Sequence, residues 1–254
     1  MSAVPFESET ALPARTGRRR LLDPWVLFTL AAAGGVALPV VVVASFVFVP
    51  SGDVWEHLAS TVLPRYVRNS LLLMLGVGTG TLVIGVGTAW LVTLCRFPGR
   101  RVFEWALLLP LAVPAYVMAY SYTSLLDYAG PVQSLLRDAF GWTRQDYWFP
   151  QLRSIEGAIS MMTLVLYPYV YLLSRAAFLE QSACVLEVSR TLGCSPWRAF
   201  ARVALPLARP AVAAGVALAL MEALNDFGAV QHFGVDTFTT GIYRTWLGMG
   251  HPAA

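Results

Sequence analysis

The sequence predicts an all-α membrane protein, a polytopic bundle of helices that crosses the bilayer several times. Three observations carry this. Of 254 residues, 57% are hydrophobic and only 13% charged, about half the charged share of a soluble domain, and the mean hydropathy is +0.60. Five apolar runs, at about 25–49, 68–94, 104–126, 158–178 and 208–231, reach the ~18 residues a span requires. At about 1.5 Å per residue each crosses a hydrocarbon core of about 30 Å. The third observation is the placing of the arginines, in a chain without lysine. Twelve lie before span one, between spans two and three, and between spans four and five; the other segments hold six and also seven acidic residues. Positive charge marks the cytoplasmic side, so the N-terminus is expected there. The net charge of +3 then reports topology and implies no nucleic-acid surface.

Taken in order, residues 1–24 form a cytoplasmic tail with Arg15, Arg18, Arg19 and Arg20. Span one, 25–49, is too long for the apolar core of a signal peptide, and Phe46-Val47-Phe48 offers no small-residue cleavage site. Span two carries the glycine run GVGTGTLVIGVG (76–87). Its spacing is not that of a nucleotide loop, and Gly76 with Gly80 suits close helix packing. Pro110 and Pro114 in span three, and Pro168 in span four, are expected to kink their helices. A cytoplasmic loop of about 179–207 follows, then span five. In span five Glu222 and Asp226 stand four apart, with Asn225 adjacent, a spacing that places both acids on one helix face. Charged groups inside a span are costly and usually face the bundle interior or a wet path; the other reading is a pair at the outer interface. The closing stretch 236–250 reads as an external loop or surface helix leading toward a sixth span that is missing, which makes residues 25–254 an incomplete membrane domain.

The loop from Leu186 to Pro210, LEVSRTLGCSPWRAFARVALPLARP, is the most distinctive segment. Gly193 suits a left-handed position past a helix end, and Ser195 suits an N-cap with Pro196 at the first helical position. A second helix of about 196–205 would carry Trp197, Phe200 and Val203 or Ala204 on one apolar face. Arg198 and Arg202, four apart, repel each other slightly on another face, a penalty that an acidic partner surface would remove. An ordinary cytoplasmic loop would need those arginines only for topology. The order Glu187, Gly193, Val203, Leu205, Pro206 resembles the EAA loop of binding-protein-dependent ABC importer permeases, with valine for isoleucine and Val188-Ser189 in place of the two alanines. The segments 96–137, 166–182 and 219–246 further resemble ferric-iron permeases that fuse two six-span halves, of which this chain would be the N-terminal one.

The resemblance implies the type I (MetI-like) importer fold with five of its spans. It implies two ATPase subunits that hold ATP and magnesium, an external iron-binding protein, and a second permease half or copy, in a bacterial inner membrane. Through it, Glu187, Gly193, Leu205 and Pro206, with Val203 in the isoleucine position, become the ATPase-coupling motif, and the residues of the same loop helix, Trp197, Arg198 and Arg202, are read with them as the coupling loop. Glu222 and Asp226 match the family's acidic segment in span five, and the reading of Glu222, Asn225 and Asp226 as a translocation path rests on their place inside the span. Thiamine and polyamine permeases share the loop, so the cargo has alternatives. In a secondary transporter without ATPases, Glu222 and Asp226 would instead form an ion relay.

The chain itself is not expected to be an enzyme or to bind a cofactor. A phosphate-binding loop of the Walker type needs a lysine, and the chain has none. His57, His232 and His251 are scattered, and Cys95, Cys184 and Cys194 show no metal-ligand spacing.

Overall fold

The computed structural model describes residues 24–45, 48, 54–181, 188, 191 and 193–248; among them every regular element is a helix. The chain divides into two units that part near residue 52. The first contains α1 (Pro24–Ser45), 22 residues with no polar face, matching span one.

The second unit opens with α2 (Val54–Thr61) and α3 (Leu63–Leu94). At 32 residues α3 is longer than span two requires, and it begins before the apolar run, so that it includes Arg65 as well as Arg68. Thr79, Thr81 and Thr88 satisfy their hydroxyls within this apolar helix, whereas Thr93 Oγ1 is buried without a partner among the described residues. Thr81 Oγ1 donates to Val77 O at 2.7 Å and Thr88 Oγ1 to Ile84 O at 2.6 Å, the back-bonding that Ser and Thr use in helix interiors.

Span three departs from expectation. In place of one kinked helix over 104–126 there are α4 (Arg100–Ala106), a 3-10 turn (Leu109–Ala112) and α5 (Ala115–Leu126). The stretches Arg100–Ala112 and Ala115–Phe140 meet at 99°. Two prolines explain the break. Val113, immediately before Pro114, is driven to extended backbone at φ −119°, ψ 128°, as residues before proline are. Pro114 then opens α5 from an extended conformation. A short surface helix, α6 (Pro131–Phe140), follows; it is amphipathic and was not anticipated.

The centre of the unit is α7 (Ile155–Glu180), capped by Ser154, whose Oγ accepts from Gly157 N at 3.1 Å. Its best apolar window is 61% buried, against 33% for α3, so α7 is the helix the others surround. It runs continuously through the buried Pro168. Val170, wholly buried, is gripped from two sides. A Cβ on Gly85 of α3 would lie 2.6 Å from Val170 Cβ, and one on Gly215 2.8 Å from Val170 Cα. Gly76 and Gly80 likewise press on Ile159 and Thr163 of α7, the close approach that the glycine run implied.

Gly215 belongs to the last long run. Here α8 (Pro196–Ala199), a π turn (Phe200–Ala204) and α9 (Leu205–Asn225) join into 30 uninterrupted helical residues. This corrects two expectations: the loop helix is not separate from span five, and span five ends at Asn225 instead of 231. Two short helices follow among the described residues, α10 (Gly228–His232) and α11 (Phe238–Gly248). The start of α11 is tied to α3. Asn69 Nδ2 donates to Asp236 O at 3.0 Å, Phe238 N donates to Ser70 Oγ at 3.2 Å, and Arg65 and Arg244 both pair with Asp236.

Candidate functional site

The loop segment is built by backbone conformation. Gly193 sits at φ +80°, with nothing within 4 Å of where a Cβ would be. The requirement there is a left-handed backbone, which glycine adopts at no steric cost. Ser195 Oγ accepts from Arg198 N at 3.4 Å and Pro196 opens the helix. At the π turn Leu205 N donates to Phe200 O, five residues back. Pro206, next in line, has no N–H to give and its ring would crowd the carbonyl of Arg202 in a regular helix. The wide turn is placed where that proline enters. Glu187 lies outside the described residues.

Side chains divide this helix differently from the expected apolar face. Phe200 and Ala204 are buried, Val203, Leu205 and Pro206 half-buried, and Trp197 is 68% exposed. The Phe200 ring stands 4.4 Å from Trp90 of α3 and 6.4 Å from Phe178 of α7. Trp197 only caps this cluster from outside, 5.2 Å from Phe200. Gln181 Nε2, just past α7, donates to Ala204 O at 2.8 Å. Phe200 and Gln181 thus fasten the segment to the bundle, a role the sequence pattern did not reveal. Arg198 and Arg202 are exposed, and no described residue forms an ion pair with either.

The same end of the bundle holds an acid that sequence reading passed over. Glu104 of α4 pairs with Arg100 at 3.4 Å and Arg175 of α7 at 3.5 Å. Arg100 Nη2 donates to Thr93 O of α3 at 3.0 Å, and Tyr171 OH to the Glu104 carbonyl at 3.2 Å. The only signal available was the Arg100–Glu104 spacing, a helix i,i+4 pair.

At the other end, Glu222 and Asn225 are exposed in the final turn of α9, while Asp226 lies beyond it. The two acids therefore do not share a helix face, because the helix stops between them. Asp226 is held by its surroundings. Its N donates to Glu222 O at 3.0 Å, its Oδ1 accepts from Ala229 N at 2.7 Å, and its carbonyl accepts from Thr239 Oγ1 at 3.3 Å. It closes one helix and opens the next. Among the described residues no three of His, Cys, Asp and Glu converge as a metal site would require.

These features can be set beside known proteins. A family profile described as "Binding-protein-dependent transport system inner membrane component" matches residues 81–246, well over half of the chain. The chain belongs to this family. Among relatives of this inner membrane component is the Fe(3+)-transport system permease protein FbpB 2 of Haemophilus influenzae. It is 30% identical over 184 residues, covering 72% of this chain and 32% of that protein. The molybdenum transport system permease protein ModB of Escherichia coli is 31% identical over 153 residues, 60% of this chain and 64% of that one. The chain thus spans about a third of the first relative's length and just under two thirds of the second's. The fold matches a chain of a bacterial alginate ABC transporter crystallised with its periplasmic protein, at a TM-score of 0.71 and 17% identity, over 90% of this chain and 85% of that one. The all-α polytopic permease architecture expected from the sequence is the one observed.

Proposed function

We propose that this chain is the membrane-spanning permease subunit of an ABC importer in a bacterial inner membrane, with residues 179–207 seated on a cytoplasmic ATPase subunit. The observation that carries the reading is the segment Gly193–Pro206. It presents two arginines that form no ion pair with any described residue, on an exposed helix whose opposite side is keyed into α3 and α7 through Phe200. A surface of this kind receives a push from an acidic partner and delivers it to the bundle. In this reading Glu187 completes the contact, two ATPase subunits hold ATP and magnesium, and a second permease half or copy closes the path. An external binding protein delivers the cargo.

For the cargo we favour iron(III). Support comes from the ferric-iron relative and from Glu222, an exposed carboxylate at the end of span five that attracts cations and repels oxyanions. The comparable identity to a molybdenum permease makes an oxyanion the second reading. Coupling is tested with Gly193→Trp in proteoliposomes containing the whole assembly. The variant should insert normally and lose ATPase stimulation by loaded binding protein, because tryptophan strains the left-handed position; wild-type stimulation would overturn the coupling assignment. Uptake of labelled iron, molybdate and sulfate by the same vesicles separates the two cargo readings.

A further inference from the structure

Two neighbouring cavities lie at the end of the bundle opposite Glu104. One, of about 400 Å³, sits under the loop that joins α6 to α7; the other, of about 190 Å³, runs between α5 and α7. They share Thr123, Pro150, Gln151 and Leu152 as a common wall, so they form one continuous recess with two characters. The upper part carries Arg144, Arg153 and Asp127, with Glu156 at the mouth of the lower part. Below, the lining becomes apolar, with Tyr122, Leu126, Met161 and Leu164.

We propose that this recess is a binding site for a zwitterionic, amine-bearing phospholipid of the phosphatidylethanolamine class. The charges at the rim fit such a headgroup. Arg153 has no hydrogen bond or ion pair among the described residues, and Arg144 has only a cation–π contact, 5.3 Å from the Tyr128 ring. Arg137, by contrast, is engaged with Tyr128 O, Tyr147 OH and Ser134 Oγ. Two uncommitted guanidiniums suit a phosphodiester, for which arginine is well shaped. Asp127 and Glu156, which make no ion pair among the described residues, suit the ammonium. A rim of two positive and two negative charges favours a zwitterion over a purely anionic lipid.

The groove fits the tail. Leu164 is nine residues into α7, about 13 Å at 1.5 Å per residue, close to half of a hydrocarbon core of about 30 Å. An acyl chain lying along α7 would therefore be covered through most of one leaflet. The surroundings are those of a membrane interface. Trp148 is 85% exposed beside the recess, and Phe140, Trp142 and Tyr147 stack at 4.6 and 5.8 Å. Such aromatic side chains gather at headgroup level. The amphipathic α6 has the character of a helix lying in the interface plane.

The test uses the complete permease assembly in nanodiscs of mixed phosphatidylethanolamine and phosphatidylglycerol, extracted in mild detergent, with retained lipid measured by native mass spectrometry. Phosphatidylethanolamine should be retained above its supplied proportion. Arg144→Ala with Arg153→Ala should lower its retention about tenfold, the equivalent of one charge-assisted contact of ~1.4 kcal/mol. Ser160→Trp, which fills the groove and leaves the arginines in place, should also displace it. A soluble phosphate ester would be indifferent to Ser160→Trp. Retained lipid that mirrors the supplied mixture, or unchanged retention in both variants, overturns the proposal. So does an arginine variant that loses binding-protein docking while its lipid stays, which would make the rim a protein contact. None of these outcomes depends on the cargo or on the ATPase contact.

Discussion

The grip on Val170 makes a prediction whose sign can be worked out in advance. Gly215 and Gly87 are both helix-interior glycines, so alanine at either gains helix propensity of up to about 1 kcal/mol. At Gly87 nothing lies within 4 Å of the new Cβ, and the gain should survive. At Gly215 the Cβ would be 2.8 Å from Val170 Cα and 3.2 Å from Tyr169 O. Both are backbone atoms, which cannot rotate aside. Carbon atoms prefer about 3.5–4.0 Å, so α9 and α7 would have to part by about 0.7 Å or more, and a gap of 0.5–1 Å forfeits a quarter to a half of each contact along the seam. Overpacking of this kind costs about 1–3 kcal/mol. After the full propensity gain, Gly215→Ala should still be destabilised, by up to about 2 kcal/mol. At about 2–4 °C per kcal/mol for a chain of this size, Tm falls by up to about 8 °C in Gly215→Ala and rises by a few degrees in Gly87→Ala. The eight tryptophans allow both to be followed by intrinsic fluorescence during thermal unfolding of the purified protein. Equal shifts of the same sign would refute the tight α7–α9 seam.

Asp226→Ala should cost about 1 kcal/mol, as the loss of a capping oxygen does, whereas Asp226→Asn, which keeps an acceptor for Ala229 N, should stay within a few tenths of the parent; thermal unfolding distinguishes them. Glu222→Gln should reduce iron uptake by the full assembly, normalised to membrane-extracted protein, with ATPase association intact; undiminished uptake would remove Glu222 from the path. A cysteine placed at the exposed Ala139 in a cysteine-free background should react with an impermeant maleimide in intact spheroplasts, and one at the exposed Ala201, near Ala199, only after permeabilisation; the reverse labelling would invert the topology.

The parts of this structure legible in the sequence are those governed by local chemistry. The apolar runs locate α1, α3, α7 and α9, because a span must be long and uncharged whatever it packs against. Gly193, Ser195 and Pro196 announced their turn and cap because each residue type fits that backbone alone. What eluded sequence reading depends on partners far along the chain. Glu104 is defined by Arg175, 71 positions away, and Phe200 by Trp90 and Phe178. Span three was read as kinked because two prolines were weighed separately; spaced four apart, with Val113 forced extended between them, they divide it. The face shared by Glu222 and Asp226 assumed that the helix continued. Asp226 has a backbone of its own to cap, and the helix ends there.

The uninterrupted run from Pro196 to Asn225 has a mechanical consequence. Thirty helical residues span about 44 Å at 1.5 Å per residue. A tilt of about 5° around the middle of such a rod moves each tip by about 2 Å in opposite directions. The Gly215–Val170 contact sits just past the middle of this rod, toward Asn225, as a fulcrum too close-packed to slide. A lateral push at the arginine-bearing tip thus reappears, reversed, at Asn225, where the turn through Asp226 lets the chain change direction. The helix is built as a lever, with its two ends at opposite ends of the bundle.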